Sequence, residues 1–324
     1  MGEFELIRQY FMPLVRLHGS HGVVVGPGDD CAVQRVPSGF DLVFSIDTLV
    51  EGVHFPINYR PDYLAWRALA VAASDLAAMG ADPSCFTLAL TLPEVNETWL
   101  RDFARGLGEA AESFGLALAG GDTTRGPLTL SLQVHGLVES GGAICRSGAR
   151  PGDLVVVSGP LGDAGAALDY LVADGSSESQ RASIDEQCVL ERYHHPQPRL
   201  KLGSALRHFA TAAIDISDGL LADLNHILEA SAVGANIERA RVPVSPALAR
   251  LKGDTAIEYA LHSGDDYELC ATIAQARWAS APPSLKQQLT VIGVIESAPG
   301  LRLGGTDVMS GSGIVGFDHF RGKA

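Results

Sequence analysis

Two hydrophobic rhythms divide this chain. In some stretches apolar residues come in short runs or alternate with polar ones, and in others they return every three or four positions. Residues 41–47 (DLVFSID) and 86–92 (FTLALTL) are short, apolar and rich in β-formers, which predicts strands. Residues 128–138 alternate cleanly, with Leu128, Leu130, Leu132 and Val134 on one face and Thr129, Ser131, Gln133 and His135 on the other. That pattern predicts an antiparallel strand with one buried face. A helix is expected from Pro61-Asp62 to Met79, stopped by Gly80. A second carries Leu100, Phe103, Ala104, Leu107, Ala111 and Phe114 on one face and ends at Gly115. Strands and helices in this order predict an α+β layer and not a doubly wound sheet.

A break is expected at 140–152, where Gly, Ser, Arg and Pro gather. Beyond it, 153–159 (DLVVVSG) reads as a buried strand leading into a helix over PLGDAGAALDYL, and 172–187 as a polar surface excursion. A helix should run from Gly219 to about Ser231, with Leu220, Leu221, Leu224, Ile227 and Leu228 inward, before short strands such as LTVIGVI. The 324 residues suit two domains, divided as 1–147 and 148–324.

Composition narrows the function. With 46% hydrophobic residues there is material for real cores, and the net charge of −14 opposes binding to a nucleic-acid backbone. A polyphosphate ligand would need metal cations or a local basic patch. Five scattered cysteines without a C-x-x-C pair point to reduced thiols, and no apolar stretch is long enough to span a membrane. With acidic Glu3 and Glu5 where a signal peptide would be basic, a cytoplasmic protein is expected.

Carboxylates then ask for an explanation. Asp29-Asp30, Asp47, Asp75, Asp122, Asp215, Asp218 and Asp265-Asp266 stand in Gly-, Ser- or Thr-rich turns beside apolar elements. Turn chemistry accounts for any one of them, but six such turns suggest converging acids that would resist ionising together. Divalent cations resolve that, and oxygen-only ligands favour Mg²⁺ over zinc. Phosphate chemistry is the natural partner of Mg²⁺. No P-loop, H-R-D or D-F-G pattern is present, and the formal G-x-G-x-x-G at Gly311, Gly313 and Gly316 precedes FDHF and not a helix of a βαβ unit.

Seven ordered runs carry a resemblance: GDDCAV (28–33), SIDTLVEGVHF (45–55), SDLAAMGADP (74–83), GGDTTRGPL (120–128), RSGARPGD (146–153), DISDGL (215–220) and GDDYELC (264–270). In order and spacing, over essentially the whole chain, they resemble the thiamine-monophosphate kinase family. The resemblance implies transfer of the ATP γ-phosphoryl group to thiamine monophosphate, and the two-domain fold of the aminoimidazole ribonucleotide synthetase-like superfamily. There an N-terminal sheet forms a homodimer interface and a C-terminal α+β domain closes the site. It places Asp30, Ser45, Ile46, Asp47, Asp75, Asp122, Asp215 and Asp218 at metal positions. Gly121, Asp122, Arg146 and Ser217 fall at ATP positions, and His54, Asp265 and Phe317 at positions touching thiamine monophosphate. Three departures stand out: Ile46 where Thr is usual, leaving only its carbonyl for a metal, Asp265 for Glu, and Phe317 for Tyr or Trp.

Among the remaining groups, Asp29 reads as a turn cap, His194-His195 as a solvated loop and His226 as a structural residue near the core stripe of its helix. No general base is expected, because a phosphate oxygen is already ionised at neutral pH. Two alternatives are another enzyme of the superfamily, such as a selenophosphate synthetase, and a non-catalytic divalent-cation-binding protein. The first would want a reactive Cys near the N-terminus, yet none precedes Cys31.

Overall fold

The computed structural model describes residues 2–17, 22–171 and 182–308. The N-terminal segment is helical, with α1 (Glu3–Leu6) and α2 (Met12–Leu17) joined by a π-helical turn over Ile7–Phe11. A small ribbon of β1 (Val23–Val25) and β2 (Val33–Gln34) follows. The first main sheet contains β3 (Phe40–Val50), β4 (Asp82–Leu92), β5 (Ala117–Arg125) and β6 (Thr129–Glu139) in the order β3-β6-β4-β5. β6 is antiparallel to both neighbours, and its register with β3 runs unbroken from Phe40↔Glu139 to Val50↔Thr129. β4 and β5 are parallel, as the helix between them requires.

That alternation sorts the sheet's faces. Leu130, Leu132 and Val134 are buried beneath α3 (Pro61–Ala78) and α4 (Glu97–Phe114), whereas the opposite face carries Phe44 and Ile46 at 61% and 63% exposure. Both helices start and stop where local chemistry directs. Pro61 opens α3 at its first position, Asn96 caps α4 by accepting from the N–H groups of Thr98 and Trp99, and Gly115 takes φ +68 at the α4 stop.

The second sheet holds β7 (Leu154–Val157), β8 (Ala210–Asp215), β9 (Gly234–Ile237), β10 (Leu269–Ile273), β11 (Thr290–Glu296), β12 (Gly300–Leu303) and β13 (Thr306–Asp307), ordered β13-β12-β9-β11-β7-β10-β8. The helix expected over 160–171 is only α5 (Asp163–Ala167). The polar excursion also needs correcting at its end. α6 (Ile184–His194) begins inside it with a capping box between Ser183 and Glu186, while 172–181 lies outside the described residues. Its inward residues, Val189 and Tyr193, come late in the helix, so the polar first turn hides the period.

Two histidines also differ from expectation. His194 ends α6 partly buried, stacked on Tyr63 at 4.4 Å and hydrogen-bonded to the Tyr59 hydroxyl at 2.5 Å, and is not in a solvated loop. Burial and the neighbouring cations push its pKa down to about 4, so it is neutral at pH 7. His226 is exposed on α8 (Leu220–Ser231), although the five inward residues expected for that helix are all buried.

α3 ties the two sheets together. Its apolar residues share one core with Val156, Ala213 and Leu269 of the second sheet. It also packs backbone to backbone on α7 (Leu200–Leu206), where a Cβ at Gly203 would lie 2.1 Å from the Ala77 carbonyl oxygen. Arg207 closes this seam by donating to the Gly80 carbonyl at 2.9 Å and to Asp82 at 3.0 Å.

Candidate active site

The register of β3 decides which of its polar groups can work together. Ser45 and Asp47 pair with Val134 and Leu132, so they face the helices, and Ile46 faces the open side. Ile46 can therefore offer only its main-chain carbonyl toward Asp47's surroundings. On the covered side the Ser45 hydroxyl donates to Asp75 of α3. Asp215 ends β8 and is buried.

These acids feel one another. Burial, and then the charge of Asp75, push the Asp47 pKa up to about 6. Burial followed by the charge of Asp75 raises Asp215 to about 7. Asp75 is itself raised by burial, against the hydrogen bond from Ser45 and the positive charge of Arg146. One oxygen of Asp47, Oδ2, is buried without a hydrogen-bond partner. Three carboxylates from three elements thus face a deficit of positive charge, and an unpaired buried acceptor is costly. Among the described residues, however, no three acidic, His or Cys side chains are already assembled as a metal-binding group.

The loop after β8 is held by a residue that the sequence reading passed over. Asp223, buried in the first turn of α8, accepts from the N–H groups of Ser217 (3.0 Å), Asp218 (3.0 Å) and Gly219 (3.1 Å). Burial still dominates and pushes its pKa up to about 7. The available signal was an acid four residues beyond a Gly that opens a helix, where the exposed N–H groups favour negative charge. Asp265 joins the same loop, its N–H donating to the Ser217 carbonyl at 2.9 Å, while Tyr267 N–H bonds to Ile216. The Asp265 carboxylate accepts from Arg67 at 2.5 Å and from the Tyr267 hydroxyl at 2.9 Å.

His54 sits in the turn after β3, its Nδ1 accepting from the Val50 N–H at 3.0 Å, which places the ring proton on Nε2. Its carbonyl accepts from the Tyr193 hydroxyl at 3.3 Å, linking this turn to α6. Arg146 is exposed, with its carbonyl bonded by Ser231.

A second group lies at the other edge of the first sheet. Asp30, Gly121 and Asp122 line a cleft of about 800 Å³ between the N-terminal helical segment and β5. Gly121 is required there, because a Cβ would stand 2.1 Å from the Leu88 carbonyl oxygen. Asp29 accepts from the Asp30 N–H at 2.9 Å and so caps the turn, as its sequence suggested. Across the sheet the row runs Asp47, Leu132, Leu88, Gly121. Three strand spacings amount to roughly 14 Å. Within one chain the expected metal positions therefore form two groups and not one. Phe317 lies outside the described residues.

Residues 28–138 match the AIR synthase related protein N-terminal domain and residues 150–305 its C-terminal domain. The thiamine-monophosphate kinase of Escherichia coli strain K12 is 47% identical over 281 residues, covering 85% of this chain and 83% of that protein. The crystal structure of thiamine-monophosphate kinase from Stenotrophomonas maltophilia K279a aligns with a TM-score of 0.85 at 40% identity, covering 94% of this chain and 97% of that one. AaThiL complexed with AMPPCP and TMP aligns at 0.79 and 32% identity, covering 98% and 97%.

Proposed function

The chain belongs to the thiamine-monophosphate kinase family of AIR synthase related proteins, and from that premise we infer how its residues divide the work. The protein is a kinase that transfers the γ-phosphoryl group of ATP to thiamine monophosphate, giving thiamine diphosphate and ADP. The observation that carries our assignment of the site is the convergence of Asp47, Asp75 and Asp215 with an unpartnered buried oxygen on Asp47.

Magnesium suits these groups, since the donors are all oxygen and their charge is uncompensated. Asp47, Asp75, Asp215 and Asp218, with Ser45 and the Ile46 carbonyl, would hold it at one edge, and Asp30 and Asp122 at the other. When bound, it supplies charge neutralisation to phosphate oxygens that would otherwise repel one another. Gly121, Asp122, Arg146 and Ser217 contact ATP in this reading. Gly121 lets β5 lie close against the Leu88 backbone at the cleft wall, and Arg146 offers a cation in an acidic surrounding. His54, Asp265 and Phe317 contact the substrate rings. No general base is assigned, because the attacking phosphate oxygen is already ionised and catalysis is positioning and electrostatics.

A homodimer is part of the same proposal. Phe40, Leu42, Phe44 and Ile46 form an exposed apolar stripe along the open face of β3. A second copy laid face to face on this stripe, across a two-fold axis running along the strands, would remove it from water. We place the domain boundary at 147/148, between the two sheets. We place the protein in the cytoplasm, in keeping with its five free thiols. Among the described residues no helix is long and apolar enough to cross a membrane.

The test is product formation. Purified protein should convert ATP and thiamine monophosphate to ADP and thiamine diphosphate in equal amounts, and excess chelator should abolish both turnover and ATP binding. Tight ATP binding in chelator would remove the metal assignment. ATP turnover independent of thiamine monophosphate would point to another enzyme of the superfamily, and no turnover at all to a cation-binding protein.

A further inference from the structure

Arg67 is a charged residue in the wrong place for a helix of core alanines and leucines. It sits in the middle of α3, its side chain is 3% exposed, and it spans from the first sheet's helix to the loop before β10. Nη1 donates to the Tyr193 carbonyl at 3.1 Å, Nη2 to Asp265 Oδ1 at 2.5 Å, and the guanidinium lies 4.0 Å over the Tyr193 ring. Its Nε is buried without a hydrogen-bond partner. Burying this group is hard to explain by stability alone. A buried ion pair commonly contributes no more than well-packed apolar side chains of the same volume.

The geometry around Asp265 supplies a reason. Arg67 and the Tyr267 hydroxyl both donate to the same oxygen, Oδ1, and among the described residues no hydrogen bond reaches Oδ2. The Asp265 side chain is 29% exposed, so the carboxylate is held on one oxygen and left available on the other. The backbone is held with equal care. Asp265 and Tyr267 both adopt left-handed φ, +68 and +51, a conformation that non-glycine residues rarely keep without external support. That support comes from the hydrogen bonds to Ser217 and Ile216, and from the two donors on Oδ1.

We propose that Arg67 is the positioning residue for Asp265: from α3 it fixes the carboxylate, together with Tyr267, so that one oxygen faces the cationic ring of the substrate. The inference rests on the reading of Asp265 as a contact of that ring. Arg67 touches no reacting atom. It acts through Asp265, and because α3 also carries Asp75, one rigid element sets both the substrate-ring contact and an acid of the phosphate site.

Steady-state kinetics of the full-length protein, varying thiamine monophosphate and ATP separately, test this. Arg67→Met should raise the KM for thiamine monophosphate about tenfold, the effect expected on losing a charge-assisted hydrogen bond. The KM for ATP should stay within about twofold, and Arg67→Lys should recover most of the loss. Tyr267→Phe removes only the second donor, leaves the packing intact, and should raise the same KM about threefold with little change in melting temperature. It carries the test if Arg67→Met fails to fold. Asp265→Asn should raise the KM at least as much as Arg67→Met, and the double variant should be no worse than Asp265→Asn alone. If Asp265→Asn raises the KM while Arg67→Met and Tyr267→Phe do not, or if the double variant shows additive losses, the positioning role is overturned. If Arg67→Met weakens both KM values and stability alike and Lys gives no rescue, Arg67 is packing only. If Asp265→Asn leaves the KM unchanged, the substrate-ring reading of Asp265 fails first and takes this inference with it.

Discussion

Ser45 donates its hydroxyl hydrogen to Asp75, joining the edge strand β3 to the buried helix α3. The bond favours the ionised form of Asp75, as does Arg146, while burial works against both. Asp47, two residues beyond Ser45 on the same strand face, has no such donor on its buried Oδ2, and burial and then the charge of Asp75 push its pKa up to about 6. Burial thus raises both acids, and for Asp75 the Ser45 hydroxyl and Arg146 offset part of that rise.

That imbalance predicts a pH-dependent stability. Folding raises the Asp47 pKa from 3.8 to about 6, so between those values the folded chain keeps a proton that the unfolded chain has released. Its contribution to stability is therefore lost as pH rises through this window. The full displacement corresponds to about 3 kcal/mol at most, and solvent near the partly exposed carboxylate reduces it to about 1–2 kcal/mol. Asp47→Asn should stabilise the ligand-free protein by that amount at pH 7.5 and hardly at pH 4, while losing most activity. Melting curves of both proteins across this range check it, and a constant difference between them would refute it.

Asp223→Ala should loosen the loop that carries Ser217 and Asp218, because three backbone N–H groups lose their acceptor at once. Hydrogen bonds to a charged group contribute about 1.5–3 kcal/mol, and relief of a raised pKa offsets part of that, so a net loss of about 1–2 kcal/mol is expected. Activity should fall further than stability, by about ten- to a hundredfold in kcat. Kinetics and thermal unfolding of the one variant separate the two effects, and unchanged kcat would show that the loop is held without Asp223.

Gly203→Ala tests the seam between α3 and α7. The added methyl would meet the Ala77 carbonyl at 2.1 Å, so the helices must separate, at a cost of about 1–3 kcal/mol. The expected readout is a lower melting temperature with both KM values raised, since Asp75 moves with α3. A variant as stable as the parent would mean that the seam yields freely.

Arg146→Ala should raise the KM for ATP about tenfold and leave that for thiamine monophosphate near its original value. The loss of its positive charge should also raise the Asp75 pKa further. Separate substrate titrations distinguish this from a general electrostatic effect, in which both KM values would rise.

Phe44→Glu places a charge on the exposed apolar stripe of β3 without touching the covered face. If a second copy covers that stripe, light scattering should show a shift toward monomer and activity should fall with it. A variant of unchanged mass and activity would mean that the stripe is not an interface.

Local order was written plainly in the sequence. Seven ordered runs carried the resemblance to the family and its reaction, while the alternation of 128–138 gave β6 and its buried face, Pro61 and Gly80 bracketed α3, and Gly115 stopped α4. Those three elements follow from neighbours a few residues apart, which is the range over which backbone preference, capping and periodicity act. What the tertiary structure alone decided involves partners far apart in the chain. Arg67 meets Asp265 across 198 positions, and Asp75 feels Asp215 through a helix and a strand from different sheets. His194 is made neutral by a pocket of tyrosines that its own HHP segment does not reveal. The strand order decided something else as well: Asp47 and Asp122, read along the chain as members of one acidic set, stand at opposite edges of a single sheet. Charge, burial and pKa are properties of what surrounds a group in space, and spacing along a chain carries no record of which distant strand or helix will arrive there.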